Sequence, residues 1–274
     1  MISLIVCSRN HDGPKPLKDN VEKTIGDTMY EWVVIDNSQN RYSIFQAYNE
    51  GVRLAKGEIL CFMHEDIEYQ SFGWGATITD LLKDESIGVI GFGGCHFLPS
   101  TPMYWSSSPI ISECFRHNDH GREYDCIHER YFKGDLVDVI ACDGFCFFMP
   151  KQLFEQVRFD DTTYEGFHGY DMDICMQALS QGYRVCVCRK MMVMHRWSDA
   201  DFSKKKGSEL FERNISLFAD KWKSRLPLMI GIDDDLVDFH ALDVLCAQAY
   251  EAKQLQHSKE YFLGRKLLHS VRRK

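Results

Sequence analysis

The sequence predicts an α/β fold with a largely parallel sheet, and three observations carry that prediction. Apolar runs that read as buried strands (Ile2 to Cys7, Trp32 to Ile35, Ile59 to Met63 and Ile87 to Phe92) alternate with helical periodicity through the first half. Three of these regions end in polar residues, Ser8-Arg9-Asn10, Asp36-Asn37-Ser38 and His64-Glu65-Asp66. The helix between the second and third runs is fully punctuated, with Ser43 and Gln46 forming a capping box and Gly57 acting as a stop after Ala55. In such sheets ligands bind outside the carboxyl ends of the strands, so the three polar tripeptides point at one crevice.

The later elements follow in order. Residues 93–134 are rich in Ser, Pro, His, Gly and aromatics without clear periodicity, and are expected to form long loops around the crevice. Val137 to Ala141 and Phe145 to Met149 flank Cys142-Asp143-Gly144 and read as two strands joined at a tight bend. Asp171 to Gln181 reads as a helix closed by Gly182 and followed by a strand at Arg184 to Cys188. That assignment puts Asp171 and Asp173 in the first helical turn, where the backbone dipole favours carboxylates.

After Pro227 and Gly231 the pattern changes, which divides the chain into a domain at 1–230 and a helical tail at 231–274 with periodicity from about Leu236 to Val271. From Glu251 onward seven basic side chains stand against two acidic ones, a net charge of +5, interleaved with Phe262, Leu263, Leu267 and Leu268. Such a helix suits peripheral contact with an anionic membrane surface, or packing on the domain or on a second subunit in a homodimer. Sequence alone leaves these open.

Composition narrows the class. At 274 residues, with 45% hydrophobic and 26% charged residues, the chain has ample material for one core and no low-complexity tract. A net charge of -8 repels phosphate polymers, which argues against nucleic acid and requires a local cation or metal for any phosphate ligand. The start Met-Ile-Ser-Leu-Ile-Val-Cys reads as a strand rather than an export signal, and no apolar stretch reaches the roughly 18 residues that span a bilayer. With no export signal, the 11 cysteines are expected as reduced thiols in a cytoplasmic protein, peripheral to the inner face of the membrane if the tail binds there.

His64 and Asp66 lie two residues apart where an apolar run ends, so on an extended segment both would face one side. Imidazole and carboxylate without thiolate suit Mn2+ or Mg2+ holding a phosphate group. A second cluster, Cys114, His117, His120, Cys126 and His128, has spacings a structural zinc could use, although it matches no defined zinc pattern.

The order of motifs resembles the family 2 glycosyltransferases of the GT-A fold, over roughly Met1 to Asp199. A first strand enters Ser8-Arg9-Asn10, without the common Pro-Thr-Tyr wording, and a second ends in Asp36. Asn49-Glu50-Gly51 on a helix, Ala55-Lys56-Gly57-Glu58, and an Asp-x-Asp-like His64-Glu65-Asp66 follow, with His in place of the first Asp. Downstream come Asp143-Gly144-Phe145, then Gly169-Tyr170-Asp171-Met172-Asp173 with Tyr170 where the pattern has Glu, and finally Met194-His195-Arg196.

This resemblance implies a GT-A, Rossmann-like sheet flanked by helices, with a C-terminal helical extension. It further implies a metal-dependent, inverting enzyme of bacterial type that moves a sugar from a nucleotide-diphosphate donor to a glycan or lipid-linked acceptor. Carried over residue by residue, Asp66, His195 and His64 would hold the metal. Ser8, Arg9, Asp36, Asn49 and Glu65 would bind the nucleotide, and Asp171 would be the catalytic base. Asp143, Gly144, Tyr170 and Asp173 would bind or support the acceptor. Two other classes are open: a sugar-nucleotide-binding module without catalysis, which His64 and Tyr170 in place of acids suggest, and a zinc-stabilised interaction protein built on the Cys/His stretch from Cys114 to His128.

Overall fold

The computed structural model describes residues 1–196, 205–232 and 237–257. The first half follows the apolar runs closely. β1 (Ile2–Ser8), α1 (Lys15–Thr24), β2 (Tyr30–Asp36), α2 (Ile44–Leu54) and β3 (Ile59–Met63) lead into a short β4 (Ile67–Tyr69), α3 (Trp74–Leu81) and β5 (Ile87–Gly91). The strands read as apolar runs because both sheet faces are covered: Ile5 and Phe62 enter one hydrophobic cluster, while Leu4, Val6, Cys61 and Met63 enter the other. The capping box forms in both directions, with Ser43 accepting from the Gln46 N–H and Gln46 reaching back to the Ser43 N–H. The helix then stops at Leu54, where Ala55 turns extended, so Gly57 is not its terminator.

Residues 93–134 depart from the expected loops. They contain β6 (Gly93–Cys95), β7 (Phe97–Leu98), and a long hairpin of β8 (Ile111–Asp119) and β9 (Arg122–His128). The hairpin turns at His120 and Gly121, both at positive φ. Its core-facing and cleft-facing residues are a mixture of Phe, His, Cys and Glu, so burial does not produce a clean alternation of apolar and polar residues.

The two strands expected at a tight bend also separate. β10 (Leu136–Asp138), β11 (Ala141–Cys142) and β12 (Cys146–Pro150) pair with different neighbours: β10 with β13 (Arg184–Cys188), β11 with β6, and β12 between β3 and β5. The main sheet therefore runs β10-β13-β5-β12-β3-β1-β2. It is mixed rather than parallel, because Cys146 pairs with Met63 at the carboxyl end of β3 and β12 runs back down the sheet. A second sheet, β11-β6-β8-β14-β4, includes β14 (Val193–His195) and stands across those carboxyl ends.

Three helices complete the described fold: α4 (Tyr170–Ser180), α5 (Lys205–Trp222) and α6 (Phe239–His257). α4 matches the expected helix, opening at Gly169 and followed by Gly182, both at positive φ. A small strand β15 (Leu228–Met229) pairs with β7. α6 docks beside it, with Phe239, Leu242 and Cys246 around Phe97, Ile110 and Met229, and Asp243 accepting from the Ser100 N–H at 2.7 Å. The first part of the predicted tail therefore packs on the domain, while residues 258–274, with most of the basic charge, lie outside the described residues. Among the described residues no helix is long and apolar enough to cross a membrane.

Asp173 ties α4 to α5 from a fully buried position. Its carboxylate accepts from Tyr164 Oη (3.1 Å), Gln177 Nε2 (2.7 Å), Lys221 Nζ (2.9 Å) and Trp222 Nε1 (2.8 Å). Asp173→Ala leaves these donors without their acceptor and is expected to cost about 3 kcal/mol of stability in urea unfolding. A loss below about 1 kcal/mol would show that water or Asp160 takes over the donors.

Candidate active site

The site is assembled where the two sheets meet. β3 ends at Met63, the His64 N–H extends the ladder by bonding the Phe145 carbonyl at 2.9 Å, and Glu65 and Asp66 turn the chain into β4. His64 and Asp66 thus converge through a turn rather than along one extended face. β14 delivers the third group: His195 pairs with Ile67 of β4 on one side and His117 of β8 on the other. The Arg196 N–H then bonds the Asp66 carbonyl at 2.9 Å, locking the two segments together.

Asp66 Oδ1 lies 3.6 Å from His195 Nε2 and 3.9 Å from His64 Nδ1. One ligating atom from each of the three residues lies within 4.8 Å of the others. Among the described residues no other trio of His, Cys, Asp or Glu gathers in this way. Asp66 Oδ1 is buried and accepts no hydrogen bond, so an acceptor with full capacity faces two imidazoles. Burial pushes the Asp66 carboxyl up to about 6. Burial also lowers His64 to about 4 and lowers His195 strongly, keeping both rings neutral and available as ligands. Two neutral imidazoles and a carboxylate without thiolate fit a divalent cation such as Mn2+.

A cleft of about 690 Å³ opens beside this trio, within the range of small-molecule sites. Arg9, Glu65, Asp143 and Tyr104 line it, as do Glu113 and His117 of the hairpin. Beside the ends of β1 and β3, Glu65 is held by Ser8 Oγ at 2.7 Å and by the Arg9 N–H at 3.2 Å. Asp36 sits at the exposed end of β2, opposite Ser8 in register. The Ser38 N–H and hydroxyl, and then His11, hold its carboxyl down at about 2.

Asn49 does not reach the cleft. Its side chain exchanges two hydrogen bonds with the Phe159 backbone, at 2.8 and 3.1 Å, while a Cβ on Gly51 would meet Ile5 Cγ2 at 2.3 Å. The Asn-x-Gly element therefore seats α2 closely on β1 and on the loop before α4.

Asp171 also differs from its expected placement. It is 2% exposed, and its Oδ2 accepts from Tyr104 Oη at 2.7 Å, so Tyr104 stands between it and the open cleft. Of the neighbouring pair Asp143 and Asp171, Asp143 is the one that lines the cleft. Burial, and then the neighbouring Asp171, push Asp143 up to about 8, while burial raises Asp171 to about 6. Gly144 and Tyr170, expected at the acceptor, instead touch each other and the metal trio: Tyr170 Oη donates to the Gly144 carbonyl at 3.0 Å and lies 2.8 Å from His64 Nε2.

The proposed zinc cluster does not assemble. Cross-strand register puts His117 opposite Tyr124 and Cys126 opposite Phe115, while Cys114 pairs with Ile127 on the other face and His120 sits in the turn. His128 instead pairs with Glu113 at 2.7 Å. Glu113 and His117 were thus missed as cleft residues. The signal available was two runs flanking His120-Gly121, which marks a hairpin.

Comparison with known proteins agrees with this architecture. A family profile described as "Glycosyltransferase like family" matches residues 4–216, and the chain belongs to that family. The core of mixed sheet and flanking helices is a GT-A fold, which it shares with GalNAc-T7, solved with UDP, GalNAc and Mn2+ (TM-score 0.51, 14% identity, covering 72% of this chain and 44% of that one). A structure of S. aureus TarS 1-349 with UDP-GlcNAc aligns at TM-score 0.47 and 14% identity over 74% of this chain and 61% of that one. Among curated sequences, the streptomycin biosynthesis protein StrF of Streptomyces griseus is 26% identical over 163 residues, 57% of this chain and 54% of that protein. The chain thus spans about half the length of the curated relative it matches.

The raised carboxyl of Asp143 has a thermodynamic consequence. Its folded pKa lies above the unfolded value, so folding takes up a proton, and that stabilisation fades as pH rises through about 8. The buried imidazoles act oppositely as their unfolded counterparts titrate around 6.5, and that contribution is common to wild type and an Asp143 variant. Between pH 6.5 and 7.5, metal-free wild type is therefore expected to lose about 1 kcal/mol more stability than Asp143→Asn, read by calorimetry of both proteins. Thiol ionisation in the unfolded chain is common to both proteins, so an equal loss in the two would show that Asp143 is ionised in the fold.

Proposed function

We propose that this protein is a metal-dependent glycosyltransferase that moves a sugar, with inversion, from a nucleotide-diphosphate donor to a hydroxyl of a glycan or lipid-linked acceptor. The observation that carries the proposal is the meeting of Asp66, His195 and His64 around a buried, unsatisfied oxygen at the strand ends. Membership of the glycosyltransferase-like family and the GT-A fold support the same chemistry, and GalNAc-T7 was solved with UDP and Mn2+.

Asp66, His195 and His64 would hold Mn2+ or Mg2+, which when bound supplies positive charge against the diphosphate as the sugar leaves. Glu65, fixed by Ser8 and the Arg9 N–H, and Asp36 at the end of β2 would receive the nucleoside. Inversion requires a proton acceptor opposite the leaving group. We assign that role to the Asp143–Asp171 pair, with Asp143 on the cleft wall and Asp171 beside it under the Tyr104 hydroxyl. Of the two adjacent carboxyls, Asp171, pushed up to about 6, is ionised and able to take a proton at neutral pH, whereas Asp143, at about 8, becomes able to do so only as pH rises toward that value.

A thermal-shift screen of UDP, GDP, CDP and dTDP with and without Mn2+ tests the donor site. One nucleotide is expected to raise the melting point by about 5–10 °C at a hundredfold excess over its Kd, only with metal present. Asp66→Asn is expected to abolish that rise. No metal-dependent rise with any nucleotide would overturn the reading. Asp143→Asn and Asp171→Asn should keep the nucleotide-induced rise and lower kcat by about 10²–10⁴-fold. Binding without turnover in the unmodified protein would leave a nucleotide-binding module instead.

A further inference from the structure

We propose that Tyr170 is a positioning residue for the metal site: its hydroxyl fixes the His64 proton on Nε2 and leaves the Nδ1 lone pair facing Asp66. This inference rests on the reading above that His64, Asp66 and His195 hold a divalent cation.

The argument is a proton count. A tyrosine hydroxyl has one proton to give, and Tyr170 Oη has two hydrogen-bond partners, the Gly144 carbonyl oxygen at 3.0 Å and His64 Nε2 at 2.8 Å, while the nearby Tyr48 hydroxyl has a proton of its own and makes no such bond. The carbonyl can only accept, so the hydroxyl proton goes there. Otherwise two bare oxygens would face each other in a buried space. The hydroxyl oxygen must then accept from His64, which places the imidazole proton on Nε2. Nδ1 is left with its lone pair, 3.9 Å from Asp66 Oδ1 and on the side where the cation would lie.

Two further observations show that this contact is built rather than incidental. The Tyr170 ring cannot swing away: it is 3% exposed and packs edge-on against Phe45 and Tyr48, with centroids at 6.1 and 5.5 Å. Residue 144 also has to be glycine for the hydroxyl to reach its place, because a Cβ there would lie 2.2 Å from Tyr170 Oη. Histidines that ligate metals are commonly oriented by an acceptor on their other nitrogen, often a carboxylate. Here a neutral hydroxyl, itself anchored on a carbonyl, does so without placing another negative charge beside Asp171.

The test uses the full chain labelled with 15N-histidine, metal-free at pH 7.5, with long-range 1H–15N correlation to read the His64 tautomer, and Mn2+ titration followed by EPR. Wild type is expected to show His64 protonated on Nε2 alone. Tyr170→Phe keeps the ring but removes the acceptor, and is expected to show a tautomer mixture with a Kd for Mn2+ roughly 10–100-fold weaker. Its melting point serves as the folding control. Gly144→Ala, by displacing the hydroxyl, is expected to act in the same direction. A Tyr170→Phe protein with the Nε2 tautomer intact and Mn2+ affinity within twofold of wild type would overturn the assignment while leaving the metal site standing. A wild type that binds no Mn2+ would overturn the metal site itself, and this assignment with it.

Discussion

The constraint on which the rest of the site depends is a carboxylate oxygen enclosed without a donor. Asp66 Oδ1 faces two neutral imidazoles and receives no hydrogen bond, in a position where burial opposes its charge. Such an arrangement costs stability unless something positive compensates. The fold holds it in place by pairing β14 simultaneously with β4 and β8, so that His195 and Asp66 cannot drift apart without opening a sheet. Sheet topology, more than any side-chain contact, is what keeps the three groups together.

The same electrostatics explain why a nucleotide diphosphate would need company. The cleft wall carries Glu65, Asp66, Glu113 and Asp143, with Arg9 as the cation among the described lining residues. The whole chain is also acidic, at -8. A diphosphate approaching alone meets a repulsive field, whereas one arriving with a divalent cation brings the charge that the enclosed Asp66 oxygen lacks. On the proposed function, donor and metal would thereby be coupled through the protein's own charge distribution.

Much of this was legible in the sequence. Buried strands of the main sheet are apolar on both faces, so β1, β3 and β5 were visible as runs, and the polar ends of β1, β2 and β3 located the cleft. The Ser43–Gln46 capping box and Gly182 marked helix boundaries because local hydrogen bonding and backbone conformation set them. What escaped was whatever depends on long-range pairing. Asn49 reads as a polar residue on a helix, yet its partner is the Phe159 backbone 110 positions away. The hairpin wall hid because its cleft-facing row mixes Glu113, Phe115 and His117. The strand order around β12 hid because an antiparallel insertion leaves no local mark.

The two departures from the resembling motif, His64 for Asp and Tyr170 for Glu, are best understood together. The site already contains four carboxyls raised above their ordinary range, Asp66, Glu113, Asp143 and Asp171, and Asp171 contributes to raising Asp143. A further acid at position 64 and another at 170 would add negative charge inside the same enclosure and drive further protonation, leaving fewer carboxylates able to bind a cation or take a proton. Imidazole supplies a metal-binding lone pair without charge, and the tyrosine hydroxyl supplies an acceptor without charge. Each replacement preserves a contact while removing a negative charge. A loss of function by drift would more readily remove a contact, as Ala at either position would. The contact from Tyr170 to His64, together with the bare Gly144 that makes room for it, therefore weighs on the side of a working metal site rather than a retired one.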